Sequence, residues 1–392
     1  MVNDSRLRPG DPGYRAVSVA LFAVGIVTFA LLYATQPLLP LIARDFHLTP
    51  TQASLAVSFS TIGLAAGLPL WTVYADRHGR AQAIVAALIA SALLTLLLAI
   101  APGFAALAAL RLVQGFTLAG VPATAMTYLG EEVAPSALGG AMGLYIAGNS
   151  LGGMSGRIAV GFTSALFGWQ VALALLGLLS LALGLFVARA LPPSRHFHAG
   201  ARRVRDALRG DLALFRRKEL TGLFAIGGLL MAAFVAVYNY LGFLLAGPPY
   251  FLPAGLASLV YLFYLLGSVS SMLLGRLADR VGRTPVLRGS VLMALAGALL
   301  TLGAPLAVKL VGLGLFTFGF FGGHAAASTL VSARAGAQRA GASSAYLVAY
   351  YVGSSFGGSL IGLLWESLRW PGVVLGAAIA LVPALILSLL QA

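Results

Sequence analysis

The sequence predicts an all-α membrane protein of twelve transmembrane helices arranged as two pseudo-symmetric six-helix bundles. Three observations carry that prediction. Hydrophobic residues fill 59% of the 392 positions, charged residues only 9%, and the mean hydropathy is +0.94, whereas a soluble domain carries about a quarter charged residues. The apolar residues come in long runs without period-two alternation. A helix needs about 20 such residues to cross a hydrocarbon core of about 30 Å, and backbone groups in lipid must be paired inside the spanning segment. Finally, one polar string occurs twice, as Ala75-Asp76-Arg77-His78-Gly79-Arg80 and as Ala278-Asp279-Arg280-Val281-Gly282-Arg283, at a spacing of 203 residues. A polar string repeated at half the chain length marks a duplicated bundle.

The spans fall at 16–41, 51–74, 81–101, 104–128, 138–166, 169–190, 220–245, 254–275, 285–303, 305–332, 341–364 and 370–390. Turn-like connections separate them on one side, at Arg44-Asp45-Phe46-His47, Ala101-Pro102-Gly103, Phe167-Gly168-Trp169 and Ala246-Gly247-Pro248-Pro249. The two repeated strings make polar hairpins on the other side, where Gly79 and Gly282 let the chain reverse. Asp76 and Asp279 are expected to pair with neighbouring Arg side chains or with the start of the next helix, where negative charge is favoured. One long connection remains, residues 191–219, and it divides an N-terminal bundle, 1–190, from a C-terminal bundle, 220–392. Within it Val204, Leu208, Leu212 and Phe215 recur at helical spacing among Arg and Lys. That pattern suits an amphipathic helix on an anionic lipid surface, and equally a basic linker without structure.

The net charge of +14 does not signal nucleic acid, because the cations are on one side of the membrane. Arg6, Arg8, Arg15, Arg77, Arg80, Arg280, Arg283, Arg334 and the basic linker fall together; only Arg44, Arg369 and Lys309 stand opposite. This is the positive-inside bias. It places both termini in the cytoplasm and the chain in a bacterial-type plasma, or inner, membrane. The chain holds no Cys, which excludes disulfides and thiolate metal sites. No cleavable signal precedes the first span, and no phosphate-cradling Gly-x-x-x-x-Gly-Lys-Ser/Thr loop is present. No enzyme chemistry, cofactor or metal is therefore expected. The expected partners are a small-molecule substrate, membrane lipids and protons, with the chain acting as a monomer.

The repeat runs beyond the hairpins. Gly148-Asn149-Ser150-Leu151-Gly152-Gly153 in span five corresponds to Gly353-Ser354-Ser355-Phe356-Gly357-Gly358 in span eleven, Tyr145 to Tyr350, and Gln36 in span one to Asn239 in span seven. Parallel six-helix repeats place a substrate site between them near the midplane. The small residues Gly148, Gly152, Gly153, Gly353, Gly357 and Gly358 suit close helix packing, with direct substrate contact as the alternative.

These residues carry a resemblance to the major facilitator superfamily over nearly the whole chain. Gly275-Arg276-Leu277-Ala278-Asp279-Arg280-Val281-Gly282-Arg283 is similar to that family's loop signature; the first copy departs from it at Thr72 and Tyr74. Arg111-Leu112-Val113-Gln114-Gly115 resembles the span-four motif of proton-coupled members. The Gly148–Gly153 string resembles the antiporter motif, with Asn149 where the family has Pro. The resemblance implies the family fold and alternating access, and points to the twelve-span drug and sugar efflux branch of proton antiporters. It assigns gating to Asp76, Arg77, Gly79, Arg80, Gly275, Asp279, Arg280, Gly282 and Arg283. It also makes spans one, four, seven and ten the lining of the cavity, which favours Tyr33, Gln36, Arg111, Tyr238, Asn239 and His324 as substrate contacts; Asn149 lies at comparable depth.

Arg111 and Arg157 are the charges that matter most. Both fall in the outer half of the bilayer, where an ionised Arg costs at least about 2.5–3.5 kcal/mol and needs a cavity or a partner. No Asp or Glu lies deep in any span. Either backbone carbonyls or polar side chains tie the two arginines, or an anionic substrate supplies the countercharge. The latter reading makes the chain an organic-anion importer or facilitator. The missing deep carboxylate leaves Asp76, Glu131, Glu132 and His324 as the groups able to carry a proton, the imidazole because it titrates near neutrality in water.

Overall fold

A computed structural model describes residues 6–197, 210 and 212–391. The described residues are helical apart from short turns and one isolated bridge between Leu7 and Val133. The spans are α1 Pro12–Asp45, α2 Pro50–His78, α3 Arg80–Ala99, α4 Phe104–Glu132, α5 at 135–167, α6 at 169–190, α7 Lys218–Ala246, α8 Ala254–Val281, α9 Arg283–Leu300, α10 Leu306–Arg334, α11 Gly341–Leu368 and α12 Trp370–Leu389. Helices α5 and α6 abut with only Gly168 between them, and together they cover the 56 residues Pro135–Ala190. At 1.5 Å per residue that length is about 84 Å, far more than one bilayer needs. The chain turns back within it at Gly168, whose φ of 83° and ψ of 162° leave the helix. Twelve crossings result, and both described chain ends fall at the same face of the bundle, called the termini end below.

Prolines decide where the spans bend. In α1 the first helical segment ends at Leu32 and a 3-10 turn, Gln36–Leu38, precedes a second segment, Leu39–Asp45. Pro37 has no N–H to give the carbonyl four residues back, which is that of Tyr33, so the helix breaks there. In α4 Pro122 does the same between Phe104–Leu118 and Pro122–Glu132. The span α8 carries a 3-10 stretch at Leu259–Phe263.

The hairpins differ from the expectation. The spans were expected to stop at 74 and 275, but helix continues to His78 and Val281 and resumes at Arg80 and Arg283. Only Gly79 (φ 100°) and Gly282 (φ 94°) leave it. A single residue at positive φ reverses the chain, so Asp76 and Asp279 ride the last helical turn instead of a loop. Arg77 and Arg280 in that turn face the negative end of the helix dipole.

The glycine strings lie in the seam inside each half. A Cβ on Gly148, Gly152 or Gly156 of α5 would run into Phe22, Ile26 or Ala30 of α1; a Cβ on Gly353 or Gly357 of α11 would run into Gly228 or Ala232 of α7. Gly153 and Gly358 face elsewhere, the first beside the Arg157 guanidinium, the second beside the Asn239 amide and Ser58 of the other half. Gly353→Leu is expected to lower stability by about 3 kcal/mol, because two backbones must part to admit the side chain. Gly289→Leu, at an open position, is the matched control and should melt like the native protein in detergent; equal melting of both variants would refute close packing at Gly353.

The long connection divides between the halves. Of the expected amphipathic face, Val204 and Leu208 lie outside the described residues. Leu212 is helical but exposed, Leu214 is buried, and Phe215 packs on Phe224 of α7 with ring centroids 5.0 Å apart. Arg217 bonds Gln338 at 3.3 Å. The end of the connection thus belongs to the second half, while residues 192–197 are docked on the first.

Candidate substrate-binding site

The break in α1 places Tyr33 and Gln36 at the contact between the halves. The Gln36 amide donates to Asn239 Oδ1 of α7 at 2.8 Å, so the two pseudo-equivalent residues meet each other. Arg157 of α5 donates from Nε to Gln36 Oε1 at 2.7 Å and from Nη1 to the Gly153 carbonyl. Three tyrosine rings surround its guanidinium, Tyr33 at 4.3 Å, Tyr264 at 4.9 Å and Tyr261 at 5.2 Å from the ring centroids. Arg157 is only 2% exposed. Among the described residues the ion-paired carboxylates are Asp45, Asp76, Glu131 and Glu132, none of them near it. A buried cation is therefore held by ring faces and two neutral oxygens, without a countercharge.

An aromatic surface extends from that cage. Tyr264 packs on Phe234 (5.6 Å), Phe234 on Phe320 (3.7 Å) and Phe320 parallel to His324 (6.2 Å). Tyr238 stacks against Tyr261 at 5.7 Å and bonds Thr317 through its hydroxyl at 2.8 Å. His324 Nδ1 lies 2.9 Å from the Tyr346 hydroxyl, and Tyr350 flanks the ring at 4.7 Å. The structure thus gathers Tyr33, Gln36, Arg157, Tyr238 and Asn239 in one neighbourhood, with His324 at the far end of the same aromatic surface. Asn149 is not part of it: this residue lies two turns along α5 and packs against Gly25 in the α1–α5 seam.

Arg111 is also elsewhere. It is fully buried, and its donors go to the carbonyls of Leu31 (3.0 Å), Leu32 and Ala56 (2.8 Å) and to Gln114 Oε1. Leu31 and Leu32 end the first segment of α1, where helical bonding stops and carbonyls need donors. A cation at that C-terminus also meets the helix dipole favourably. Gln114 in turn donates to Thr95 Oγ1 at 2.6 Å on α3, and a Cβ on Gly115 would meet the Ser60 backbone of α2. Arg111, Gln114 and Gly115 of the string are thus spent on joining α4 to α1, α2 and α3, while the Leu112 and Val113 side chains are exposed. The expectation that span four lines the site through Arg111 is corrected accordingly: α5 and α8 supply its walls.

Every hydrogen bond between the halves, among the described residues, lies toward the end opposite the termini. Thr51 at the start of α2 donates its N–H (3.3 Å) and hydroxyl (2.7 Å) to one oxygen of Glu366 on α11. Ser58 bonds Ser359 at 2.7 Å, and Ser355 donates to the Ser58 carbonyl at 2.8 Å. Gly161 and Phe162 of α5 meet Ser258 and Gly255 of α8. No hydrogen bond or ion pair joins the halves at the termini end among the described residues.

The hairpins at that end are unlike each other. Arg80 pairs with Asp76, and with Glu131 of α4 at 3.3 Å. Beside it, buried Glu132 accepts the backbone N–H groups of Arg195 (2.6 Å) and His196 (2.9 Å), with His196 Nδ1 at 3.1 Å. Tyr128 bonds the Pro192 carbonyl at 2.9 Å, and the Arg80 guanidinium lies 5.7 Å from the Phe197 ring. Asp279 was expected to pair with neighbouring Arg side chains or with the start of the next helix; among the described residues it forms no ion pair with an Arg. It is exposed, and Gly275, Arg280 and Gly282 are exposed around it, with Arg283 partly so. The position matching Glu131 in the second half is Arg334, which bonds Gln391 at 2.5 Å, so the second hairpin lacks the acid that completes the first.

Sequence reasoning missed Tyr261 and Tyr264, and the closing contacts Thr51, Ser58, Ser355, Ser359 and Glu366. The two tyrosines stand one helical turn apart in span eight, a spacing that puts both on one face. The serines recur four apart on α11, which was equally readable.

Two six-helix bundles that meet over a buried polar cluster and close on one side define a membrane carrier. The chain belongs to the major facilitator superfamily, which its residues 21–357 match. It is 42% identical to the MFS-type transporter YybF of Bacillus subtilis (strain 168), over 97% of this chain and 95% of that protein. It is 40% identical to the inner membrane transport protein YnfM of Escherichia coli (strain K12), over 97% and 92% respectively. Among solved structures it is similar to a bacterial homologue of the human lysosomal transporter Spinster in an inward-facing, unoccupied conformation, with a TM-score of 0.78, 14% identity and coverage of 97% and 96%. That likeness speaks for the fold. The protein is a membrane transporter, not an enzyme.

Proposed function

We propose that the chain exports a small organic compound by alternating access, with protons entering in exchange. One observation carries the alternating-access reading: the hydrogen bonds between the halves are confined to one end, while the polar cluster lies between the halves just inside them. The positive-inside bias puts the termini end in the cytoplasm, so the site is loaded from inside and discharged when Thr51–Glu366 and Ser58–Ser359 part. The proton reading leans on the resemblance of the span-four and span-five strings. His324 is its carrier: of the four candidates, Asp76 and Glu131 are engaged by Arg80 and Glu132 by residues 195–196, whereas His324 borders the aromatic surface of the site.

Liposomes holding a trapped pH-sensitive dye provide the test, challenged with a panel of small organic compounds. Exchange makes transported compounds move protons the opposite way, and His324→Gln should cut that flux at least tenfold. Compounds that equilibrate down their own gradient with no proton movement would replace antiport with the second reading, an organic-anion facilitator or importer. That reading draws on the uncompensated charge of Arg157.

A further inference from the structure

Gln36 stands between a buried cation and the opposite half of the protein. Its Oε1 accepts from Arg157 at 2.7 Å and its Nε2 donates to Asn239 at 2.8 Å. The Asn239 amide is buried, and its own Nδ2 has no hydrogen-bond partner. An amide oxygen is a weak partner for a guanidinium, whose planar fork matches a carboxylate with two parallel hydrogen bonds. The cluster therefore holds, side by side, a cation short of negative charge and an amide N–H short of an acceptor, and the neutral Gln36 between them supplies neither. The rings of Tyr264, Phe234 and Phe320 are buried against one another between Arg157 and His324 in this conformation, and they offer a planar ring an offset partner when the site opens.

We propose that the substrate is an aromatic carboxylate whose anion displaces Gln36 from Arg157, and that this displacement releases the Gln36–Asn239 bond, the innermost of those that join the halves. Recognition and opening then share one side chain. The carboxylate takes the Arg157 fork, the ring lies along Tyr264 and Phe234, and the freed Gln36 lets Asn239 go. An amine or alcohol of the same shape has nothing to offer the guanidinium, so it leaves the bridge intact. Arg111 takes no part, its donors being committed to carbonyls. The proposal rests on the central-site reading above and adds the class of compound and the trigger.

The test uses purified full-length protein in detergent without any gradient, with benzoate, benzyl alcohol, benzylamine and acetate as probes. The chain has no Cys, so spin labels attach only at Arg44→Cys and Ser367→Cys, exposed positions on opposite halves at the closed end. Benzoate should raise the melting temperature and lengthen the label distance; benzyl alcohol and benzylamine should do neither, and acetate should bind at least tenfold more weakly than benzoate. Gln36→Glu gives Arg157 a built-in carboxylate. That variant should melt no lower than the native protein and bind benzoate at least tenfold more weakly. The proposal is overturned by absence of benzoate binding, by benzylamine stabilising as well as benzoate, by native benzoate affinity in Gln36→Glu, or by benzoate binding with no change in label distance. Binding and label distances need no proton gradient, so loss of the antiport reading leaves this result intact. Failure here likewise leaves proton-driven export of a neutral or cationic compound standing.

Discussion

Arg111→Leu is expected to remove the folded transporter instead of changing what it carries. The guanidinium satisfies the carbonyls of Leu31, Leu32 and Ala56 and holds Gln114. With no water at this depth, each stranded polar group costs about 1–3 kcal/mol. The Leu32 carbonyl and Gln114 Oε1 are stranded outright and Leu31 and Ala56 each lose a second donor, a loss of about 2–6 kcal/mol against the 5–15 kcal/mol that separates a folded domain from its unfolded state. The break in α1 makes the loss worse at Leu32, whose carbonyl has no helical N–H to return to because the Gln36 N–H bonds Tyr33 instead. Arg111→Lys should fall between, since an ammonium carries the charge but cannot span three carbonyls as a planar fork does. The yield of monodisperse protein in detergent and its melting temperature read this directly. A well-folded Arg111→Leu with native melting and altered preference for anions would return Arg111 to the substrate site.

That outcome bears on how far a sequence of this kind can be read. The spans, the duplication and the pairing of Gln36 with Asn239 by position were legible, because hydropathy and a fixed repeat spacing are local signals. The division of labour between Arg111 and Arg157 was not. Both are intramembrane arginines without a carboxylate, and what separates them is the break at Pro37, which frees carbonyls beside one and places Gln36 beside the other. Pro37 is visible in the sequence; that its consequences land on α4 and α5 is a tertiary fact. Tyr261 and Tyr264 were passed over because the expected lining was spans one, four, seven and ten. The 3-10 stretch in α8 brings Tyr261 to the guanidinium, and such irregular turns inside a helix recur at functional positions. The hairpins looked like two copies of one device until their neighbours were considered, since Glu131 has Arg334 as its counterpart.

The difference between the hairpins yields the second large effect. Arg80→Ala should reduce transport at least tenfold while leaving ligand affinity within about twofold, because Arg80 lies at the termini end, remote from the Arg157 cluster. Removing it leaves Asp76 and Glu131 facing each other without the cation they share, and like charges at that separation repel. It also takes away the guanidinium over Phe197, one of the contacts that dock residues 192–197 on the first half. Trypsin should therefore cut after Arg195 faster in Arg80→Ala than in the native protein. Arg283→Ala, the same change in the second hairpin, should leave both the protease pattern and the melting temperature unchanged, because Asp279 has no ion pair to lose in this conformation. If Arg283→Ala instead slows transport as severely as Arg80→Ala, the second hairpin must find its partner when the halves close at the termini end. The two copies would then work in alternation: the first holds its own half and the connection together throughout, and the second engages only in the state that opens the opposite side.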